Sequence, residues 1–169
     1  WIQLWACLDE LGGLGEQLAR LMVTTLENAG VAEGPTDDTL ERLAREIVAR
    51  CHDQGERVPG YGIPLHGMDP RAPRVLDVAR REGTFGVYCR LAGHIEAALA
   101  GARGGRAVPL NLDGVGAAVI LDLGFHWKTT RMFLLTPRSV SMGAHFIEEQ
   151  SQDTTWRHVR AERIAYEGE

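Results

Sequence analysis

Three short stretches of the sequence combine residue types that can do chemistry with a spacing that suits a site. The first, Val58–Arg71, is dense in glycine and proline, and rigid exposed loops of this kind often carry function. The second, Pro109–Gly114, is a polar break that puts Asp113 in front of a very apolar segment. The third, Thr136–Ser139, puts Arg138 at the start of a segment whose pattern predicts burial. A buried arginine requires an anionic partner, either a protein carboxylate or a ligand.

Each of these residues also has a purely structural interpretation. Asp113 is well placed to cap the N-terminus of the apolar helix that follows it. Arg71 has two acidic neighbours, Asp69 and Asp77, with which it can form an ion pair. His66 is a loop histidine, and most loop histidines face solvent or pack rather than react. The residue pattern alone leaves both interpretations open.

Several familiar catalytic and binding motifs are absent from the sequence. There is no phosphate-binding Gly-x-x-x-x-Gly-Lys loop, no Gly-x-Ser-x-Gly elbow and no His-Glu-x-x-His pair. The six histidines are dispersed, so we expect no metal site. The net charge of −5 argues against nonspecific nucleic-acid binding as the main activity.

Length and composition indicate an ordinary globular domain. The chain has 169 residues, of which 44% are hydrophobic and 24% charged. No apolar run reaches the roughly 18 residues of a membrane span, so we expect no membrane partner. Three scattered cysteines and the lack of a leader-like start favour a cytoplasmic protein with reduced thiols. Because the chain opens on an apolar run at Trp1, we expect sequence upstream of it, or another chain in its place.

The elements that must position these stretches are predicted to be helices. One apolar stripe predicts a helix over 37–54, with Thr36 as its N-cap and Asp37 and Asp38 in its first turn. The stripe consists of Leu40, Leu43, Ile47, Val48 and Cys51. An earlier stripe predicts a helix whose start contains several glycines, which implies close packing or a bend. That stripe consists of Leu11, Leu14, Leu18 and Met22.

Three further helices are predicted in the second half of the chain. Helical faces occur over 84–100 and 127–150, and residues 114–123 are apolar nearly all round, as in a buried helix. In the last segment Pro137 either opens a new helix capped by Thr136 or kinks one long helix. Clear strand signals are absent. The sequence therefore predicts an all-α protein.

The order of the three stretches resembles that of the citrate synthase superfamily, and more closely that of its short citryl-CoA lyase-like members. The resemblance covers about residues 11–166, and the first portion of the family fold is not represented. The segments that carry it are Gly60-Tyr61-Gly62, Asp69-Pro70-Arg71, Leu110-Asn111-Leu112-Asp113-Gly114, the late arginine Arg138, and Gly143-Ala144-His145-Phe146-Ile147-Glu148-Glu149.

The resemblance implies a helical fold of a large and a small domain, a tight homodimer, and a site in the cleft between the domains. In this chain, residues 1–57 would be large-domain helices. Residues 58–110 would form the small-domain region with the glycine-rich loop. Residues 111–169 would carry the Asn-Leu-Asp segment and the C-terminal helices.

The resemblance also implies an enzyme that makes or breaks a carbon–carbon bond between a coenzyme A thioester enolate and a 2-oxo acid. The substrate would be a coenzyme A thioester of a polycarboxylic acid, with no bound cofactor. Arg71 and Arg138 would bind carboxylates, with Gly62 in the substrate-binding loop. Asp113 would move the proton at the alpha carbon of the thioester. His66 would act at the carbonyl or hydroxyl oxygen of the substrate.

This sequence departs from the family at the histidine that follows Gly-Tyr-Gly, where Ile63 stands. In citrate synthases that histidine donates to the carbonyl oxygen, which isoleucine cannot do. A second family histidine falls at Leu11, while His66 matches a further histidine of the lyase-like pattern. Ordinary citrate synthase activity is therefore not expected. The alternative is a catalytically degenerate subunit that binds a ligand or a partner protein.

Overall fold

The computed structural model describes residues 13–31, 34–63 and 69–152. Six α-helices and one short 3-10 helix make up its regular structure, and these ranges contain no strand. The helices are α1 (Gly13–Asn28), α2 (Asp37–Asp53), α3 (Arg71–Arg81), α4 (Val87–Ala102), α5 (Leu112–Asp122), the 3-10 helix Trp127–Thr129 and α6 (Thr130–Ser151). The all-α prediction is confirmed. None of the described helices is both long and apolar enough to cross a membrane.

The chain divides into two compact units, and the boundary falls between Leu134 and Leu135, inside α6. The first unit contains α1 to α5 and the first turn of α6, and the second contains the rest of that helix. The division expected from the family, at residues 57 and 110, stays a prediction.

Helix α2 forms almost where the sequence predicts it. The Thr36 hydroxyl accepts a hydrogen bond from the Thr39 backbone N–H at 3.3 Å, as an N-cap does. On the outer face Arg45 donates at 2.8 Å to Glu41, which lies four residues before it on the same helix. All five residues of the predicted stripe are buried. Capping, charge pairing and apolar periodicity therefore agree on this helix.

The core of the first unit lies where α1, α2, α4 and α5 meet. Its largest fully buried apolar side chains are Leu18, Met22, Leu40, Leu43, Ile47, Leu91, Ile95 and Val115. Leu14, which the stripe also placed inside, is 40% exposed. It lies in the first turn of α1, where the buried residues are Gly13 and Gly15 instead.

Asp122, at the end of α5, caps the beginning of α4. Its carboxylate accepts hydrogen bonds from the backbone N–H groups of Gly86, Tyr88 and Cys89, each at 2.9 Å. The N-cap residue of α4, Gly86, has no side chain to do this, so a residue 36 positions away supplies the acceptor. The contact joins the end of one core helix to the beginning of another.

Helix α3 was not predicted from the sequence. Its buried residues are two alanines, Ala72 and Ala79, and the rest of its surface is largely charged. Pro73 stands in its first turn, where a missing backbone N–H costs little. Val75 and Leu76 pack against the core beside the two alanines, so the segment does carry a helical apolar stripe at i, i+3, i+4 and i+7, which our sequence-based prediction left out.

The interpretation of Asp113 as a helix cap is wrong. Helix α5 begins at Leu112, and its N-cap is Asn111, whose side-chain oxygen accepts from the Gly114 N–H at 3.0 Å. Asn111 is the N-cap because its backbone is extended and it directly precedes the helix. Asp113 stands in the first turn instead, where the helix dipole favours a negative charge.

The burial expected for the last helix is also wrong for the residues that the structure describes. Helix α6 runs as one helix through Pro137, which decides between the two predicted alternatives, but its only buried residue is Thr130. Arg138 is exposed, as are the apolar side chains of Val140, Phe146 and Ile147. Apolar residues on several sides of a helix predict burial only where other elements cover those sides.

Candidate active site

The first two stretches of the sequence pair with each other through their backbones. The Gly62 N–H donates to the Pro109 carbonyl at 2.7 Å, and the Asn111 N–H donates to the Gly60 carbonyl at 3.0 Å. The Asn111 side-chain amide donates to the Gly62 carbonyl at 3.0 Å. The glycine-rich loop is therefore attached directly to the residue that caps α5.

Glycine is required at the point where this loop touches α5. Gly60 has a φ of +82°, and a Cβ atom there would lie 2.8 Å from the Gly114 Cα and 2.8 Å from the Leu18 side chain. A Cβ atom on Gly114 would collide with the Gly60 carbonyl oxygen. Gly62 has a φ of +80°, which side-chain-bearing residues rarely adopt. The Gly-Tyr-Gly motif thus has a structural reason in this chain, independent of any substrate.

Tyr61 anchors the same loop to α4. Its hydroxyl donates a hydrogen bond to the Ala92 carbonyl at 2.9 Å. Burial raises the pKa of Tyr61 well above its ordinary value, so the phenol remains a neutral donor at physiological pH. The loop is therefore held both by its backbone hydrogen bonds to Pro109 and Asn111 and by the Tyr61 hydroxyl.

Asp69 and Arg71 form a forked ion pair at the start of α3. Arg71 donates from Nε to one Asp69 carboxylate oxygen at 2.9 Å and from Nη2 to the other at 2.9 Å. The Arg71 backbone N–H adds a third hydrogen bond at 3.0 Å. These hydrogen bonds lower the pKa of Asp69 to about 2. Of the two acidic partners expected for Arg71, the structure shows Asp69. The other, Asp77, pairs with Arg80 at 3.3 Å.

The same Asp69 carboxylate also reaches the beginning of α5. It accepts a hydrogen bond from the Leu112 backbone N–H at 3.3 Å, one residue before Asp113. The pKa of Arg71 is raised, chiefly by its hydrogen bond to Asp69 and also by the charge of Asp113. The Asp113 carboxylate is therefore within electrostatic reach of the Arg71 guanidinium.

Helix α1 packs closely against the backbone of Asp113. A Cβ atom at Gly15 would lie 3.0 Å from the Asp113 carbonyl oxygen and 3.4 Å from the Thr130 methyl group. The expectation that the glycines near the start of this helix imply close packing is therefore confirmed at Gly15. Sequence reasoning did not connect Gly15 with Asp113, although a glycine inside a helix is the available signal.

The predicted site residues fall into three groups. Gly62, Arg71 and Asp113 meet within the first unit, around the start of α5. Arg138 lies on α6 in the second unit and is exposed. His66 lies outside the described residues, and Ile63 is half-buried beside Gly62. The sequence did not indicate the importance of Asp69, because its contact with the Leu112 backbone joins positions far apart along the chain.

The arrangement can bind an anion and move a proton. The Arg71 side chain is 67% exposed, so it can bind a carboxylate in addition to Asp69. Asp113 is half-buried, and its charge acts on the Arg71 guanidinium. Within the described ranges no group of three His, Cys, Asp or Glu side chains is arranged to hold a metal ion.

Comparison with solved structures shows the same fold in larger proteins. The citryl-CoA lyase of Hydrogenobacter thermophilus superposes with a TM-score of 0.72 and 25% identity, over 95% of this chain and 59% of that one. The citrate synthase of Thermotoga maritima gives a TM-score of 0.64 at 20% identity, over 95% of this chain and 41% of that one. The ATP citrate lyase of Methanothrix soehngenii, solved with citrate and coenzyme A, gives a TM-score of 0.63 at 20% identity, over 95% of this chain and 27% of that one.

The chain thus spans about three fifths of the citryl-CoA lyase and less of the other two. The curated proteins include no match. The sequence profile described as "Citrate synthase, C-terminal domain" matches residues 12–160, which is most of the chain. This protein belongs to the citrate synthase family and carries the family's C-terminal domain.

Proposed function

We propose that this chain carries part of the active site of a citryl-CoA lyase-like enzyme, which acts on a coenzyme A thioester of a polycarboxylic acid. The observation that carries the proposal is that Asp69 accepts hydrogen bonds both from the Arg71 side chain and from the backbone N–H of Leu112, the residue before Asp113. The similarity to a citryl-CoA lyase over 95% of this chain supports it. The coenzyme A thioester is the substrate, and the reaction as proposed uses no bound cofactor.

In the cleavage direction the substrate hydroxyl loses its proton to His66 or to water. The carbon–carbon bond then breaks, its electron pair forms the thioester enolate, and the hydroxyl-bearing carbon becomes the carbonyl of a 2-oxo acid. Asp113, in its protonated form, gives its proton to the enolate carbon and becomes the carboxylate again. Arg71 holds one substrate carboxylate throughout, and Arg138 binds another.

The test is a coupled assay of the full-length protein with citryl-CoA, which follows the release of acetyl-CoA and oxaloacetate. Arg71→Ala should raise KM at least about 10-fold, because a charged hydrogen-bonded contact to the substrate is lost. Asp113→Asn should reduce kcat far more than it weakens binding. Arg80→Ala is the matched control, since it removes an arginine of the same helix that pairs with Asp77. Equal effects of Arg71→Ala and Arg80→Ala would contradict the proposal.

The second candidate function is a degenerate subunit that binds a ligand or a partner without turnover. Ile63 favours it, because the hydroxyl oxygen that becomes the carbonyl oxygen of the 2-oxo acid would lose a hydrogen-bond donor, and one such donor is worth about 10²–10³ in rate. Calorimetry with the coenzyme A thioester separates the two. Binding without turnover in the full-length protein would support the degenerate subunit, and turnover would exclude it.

We also infer that the protein acts as a homodimer in the cytoplasm and binds small molecules rather than nucleic acid or membranes. The inference rests on its family membership and on its net charge of −5. Light scattering of the full-length protein measures the oligomeric state, and a monomer at all concentrations would contradict a homodimer.

A further inference from the structure

The ion pair with Asp69 uses only one edge of the Arg71 guanidinium. An arginine side chain has five N–H donors in a planar fork. Asp69 accepts from Nε and from one hydrogen of Nη2, which leaves the two hydrogens of Nη1 and one of Nη2. These remaining donors form the edge that can bind a carboxylate in a two-point contact. The side chain is 67% exposed, so a ligand has access to it.

Asp69 is itself held rigidly. Its side chain is 5% exposed, and it accepts hydrogen bonds from the Leu112 backbone and from both the backbone and the side chain of Arg71. A buried carboxylate with this many partners has little rotational freedom. The direction in which the free edge of Arg71 points is therefore set by Asp69.

The hydrogen bond to Leu112 also ties this orientation to Asp113. Leu112 is the first residue of α5, and Asp113 is the second. The Asp69 carboxylate thus holds both the Arg71 guanidinium and the backbone N–H of Leu112, the residue before Asp113.

We propose that Asp69 is a positioning residue, which aims the free edge of Arg71 at a substrate carboxylate at a fixed place relative to Asp113. This inference rests on the proposed function, because it takes Arg71 as the residue that binds the carboxylate. It goes beyond that function because it assigns Asp69 a part in substrate affinity, although Asp69 itself need not touch the substrate.

Positioning and simple electrostatics make opposite predictions for Asp69→Asn. The substitution removes a negative charge beside Arg71, so electrostatics alone would make the protein bind an anionic ligand more tightly. Positioning predicts weaker binding, because an amide cannot accept from both Nε and Nη2. Asp77→Asn is the charge-matched control, since Asp77 pairs with Arg80 on the same helix and is exposed.

The experiment is calorimetric titration of the full-length protein with citrate, with thermal melting of each variant measured in parallel. We expect Asp69→Asn to raise the Kd for citrate about 10-fold or more, and Asp77→Asn to leave it unchanged or slightly lower. In the Arg71→Ala background, Asp69→Asn should have no further effect on Kd. Asp69→Glu keeps the charge but displaces the carboxylate by one methylene, so it should also weaken binding.

The possible failures are distinguishable. If wild-type protein does not bind citrate, or if Arg71→Ala leaves the Kd unchanged, the role of Arg71 in the proposed function is wrong and the positioning role falls with it. If Arg71→Ala weakens binding while Asp69→Asn binds citrate equally or more tightly, only the positioning role is overturned. If Asp69→Asn does not fold, Asp69→Glu decides, and wild-type affinity in that variant overturns the proposal.

Discussion

Gly60 and Gly114 contact each other backbone to backbone, at the place where the glycine-rich loop meets the first turn of α5. A Cβ atom on either glycine would overlap the backbone of the other. The contact brings Asp113, the residue before Gly114, against the loop that contains Gly62. The stability of the site therefore depends on two glycines as much as on its charged residues.

Gly114→Ala should lower the free energy of unfolding by about 1–3 kcal/mol, because the added methyl group overpacks a contact with backbone on one side. Gly116→Ala is the matched control on the same helix. A Cβ atom there meets nothing within 4 Å, so this variant should gain about 0.5–1 kcal/mol from helix propensity. Urea denaturation of both variants tests the prediction. Similar stability in the two would mean that the contact is loose.

The stabilisation that Asp69 gives should depend on pH. The pKa of Asp69 is lowered to about 2 in the folded protein, mainly by hydrogen bonds from Arg71, against 3.8 for an unperturbed group. A carboxylate with a lowered pKa stabilises the fold above its unfolded pKa and loses this effect as pH falls through its folded pKa. The difference between wild type and Asp69→Asn, about 2 kcal/mol near neutrality, should therefore shrink between about pH 4 and pH 2. Denaturation at several pH values measures it, and a constant difference would contradict the ion pair.

Asp122→Ala should destabilise the first unit by about 1–3 kcal/mol, because three backbone N–H groups at the start of α4 lose their acceptor. Asp38→Ala is a suitable control, since Asp38 lies in the first turn of α2, whose N-cap is Thr36. Thermal melting followed by circular dichroism compares the two. Equal shifts in Tm would show that the cap from α5 contributes little.

Arg138→Ala should leave folding intact, because the side chain is exposed and surface substitutions change stability by less than about 0.5 kcal/mol. The same variant should raise KM for citryl-CoA strongly if Arg138 binds a substrate carboxylate. The measurement pairs urea denaturation with the coupled assay. Unchanged kinetics would remove Arg138 from the site.

The sequence was most informative where independent signals coincide. In α2 the cap at Thr36, the acids after it and a five-residue apolar stripe all indicate the same helix, and the structure contains it. In α3 the apolar stripe of Ala72, Val75, Leu76 and Ala79 has no side-chain N-cap and no acidic residue in the first turn to support it. Local patterns predict an element well when several of its residues carry the same information.

The candidate site was predictable only in part, for a different physical reason. Arg71 and Asp113 were identified from the motifs around them, whereas the role of Asp69 depends on the Leu112 backbone, 43 positions away. A contact between a side chain and a distant backbone N–H leaves no trace in residue types. The same holds for Asp122, whose acceptor role depends on where the start of α4 lies.

The pairing of the glycine-rich loop with the segment before α5 has a consequence for the folding order of the molecule. The hydrogen bond between Asn111 and Gly62 joins positions 49 residues apart, and α3 and α4 lie between them. Individual helices form within about a microsecond, whereas a contact between distant positions must first offset the entropy of closing the loop between them. We therefore expect Gly62, Arg71 and Asp113 to come together late, after the helices that separate them have formed. Substitutions at Gly60 or Gly114 should accordingly accelerate unfolding more than they slow folding.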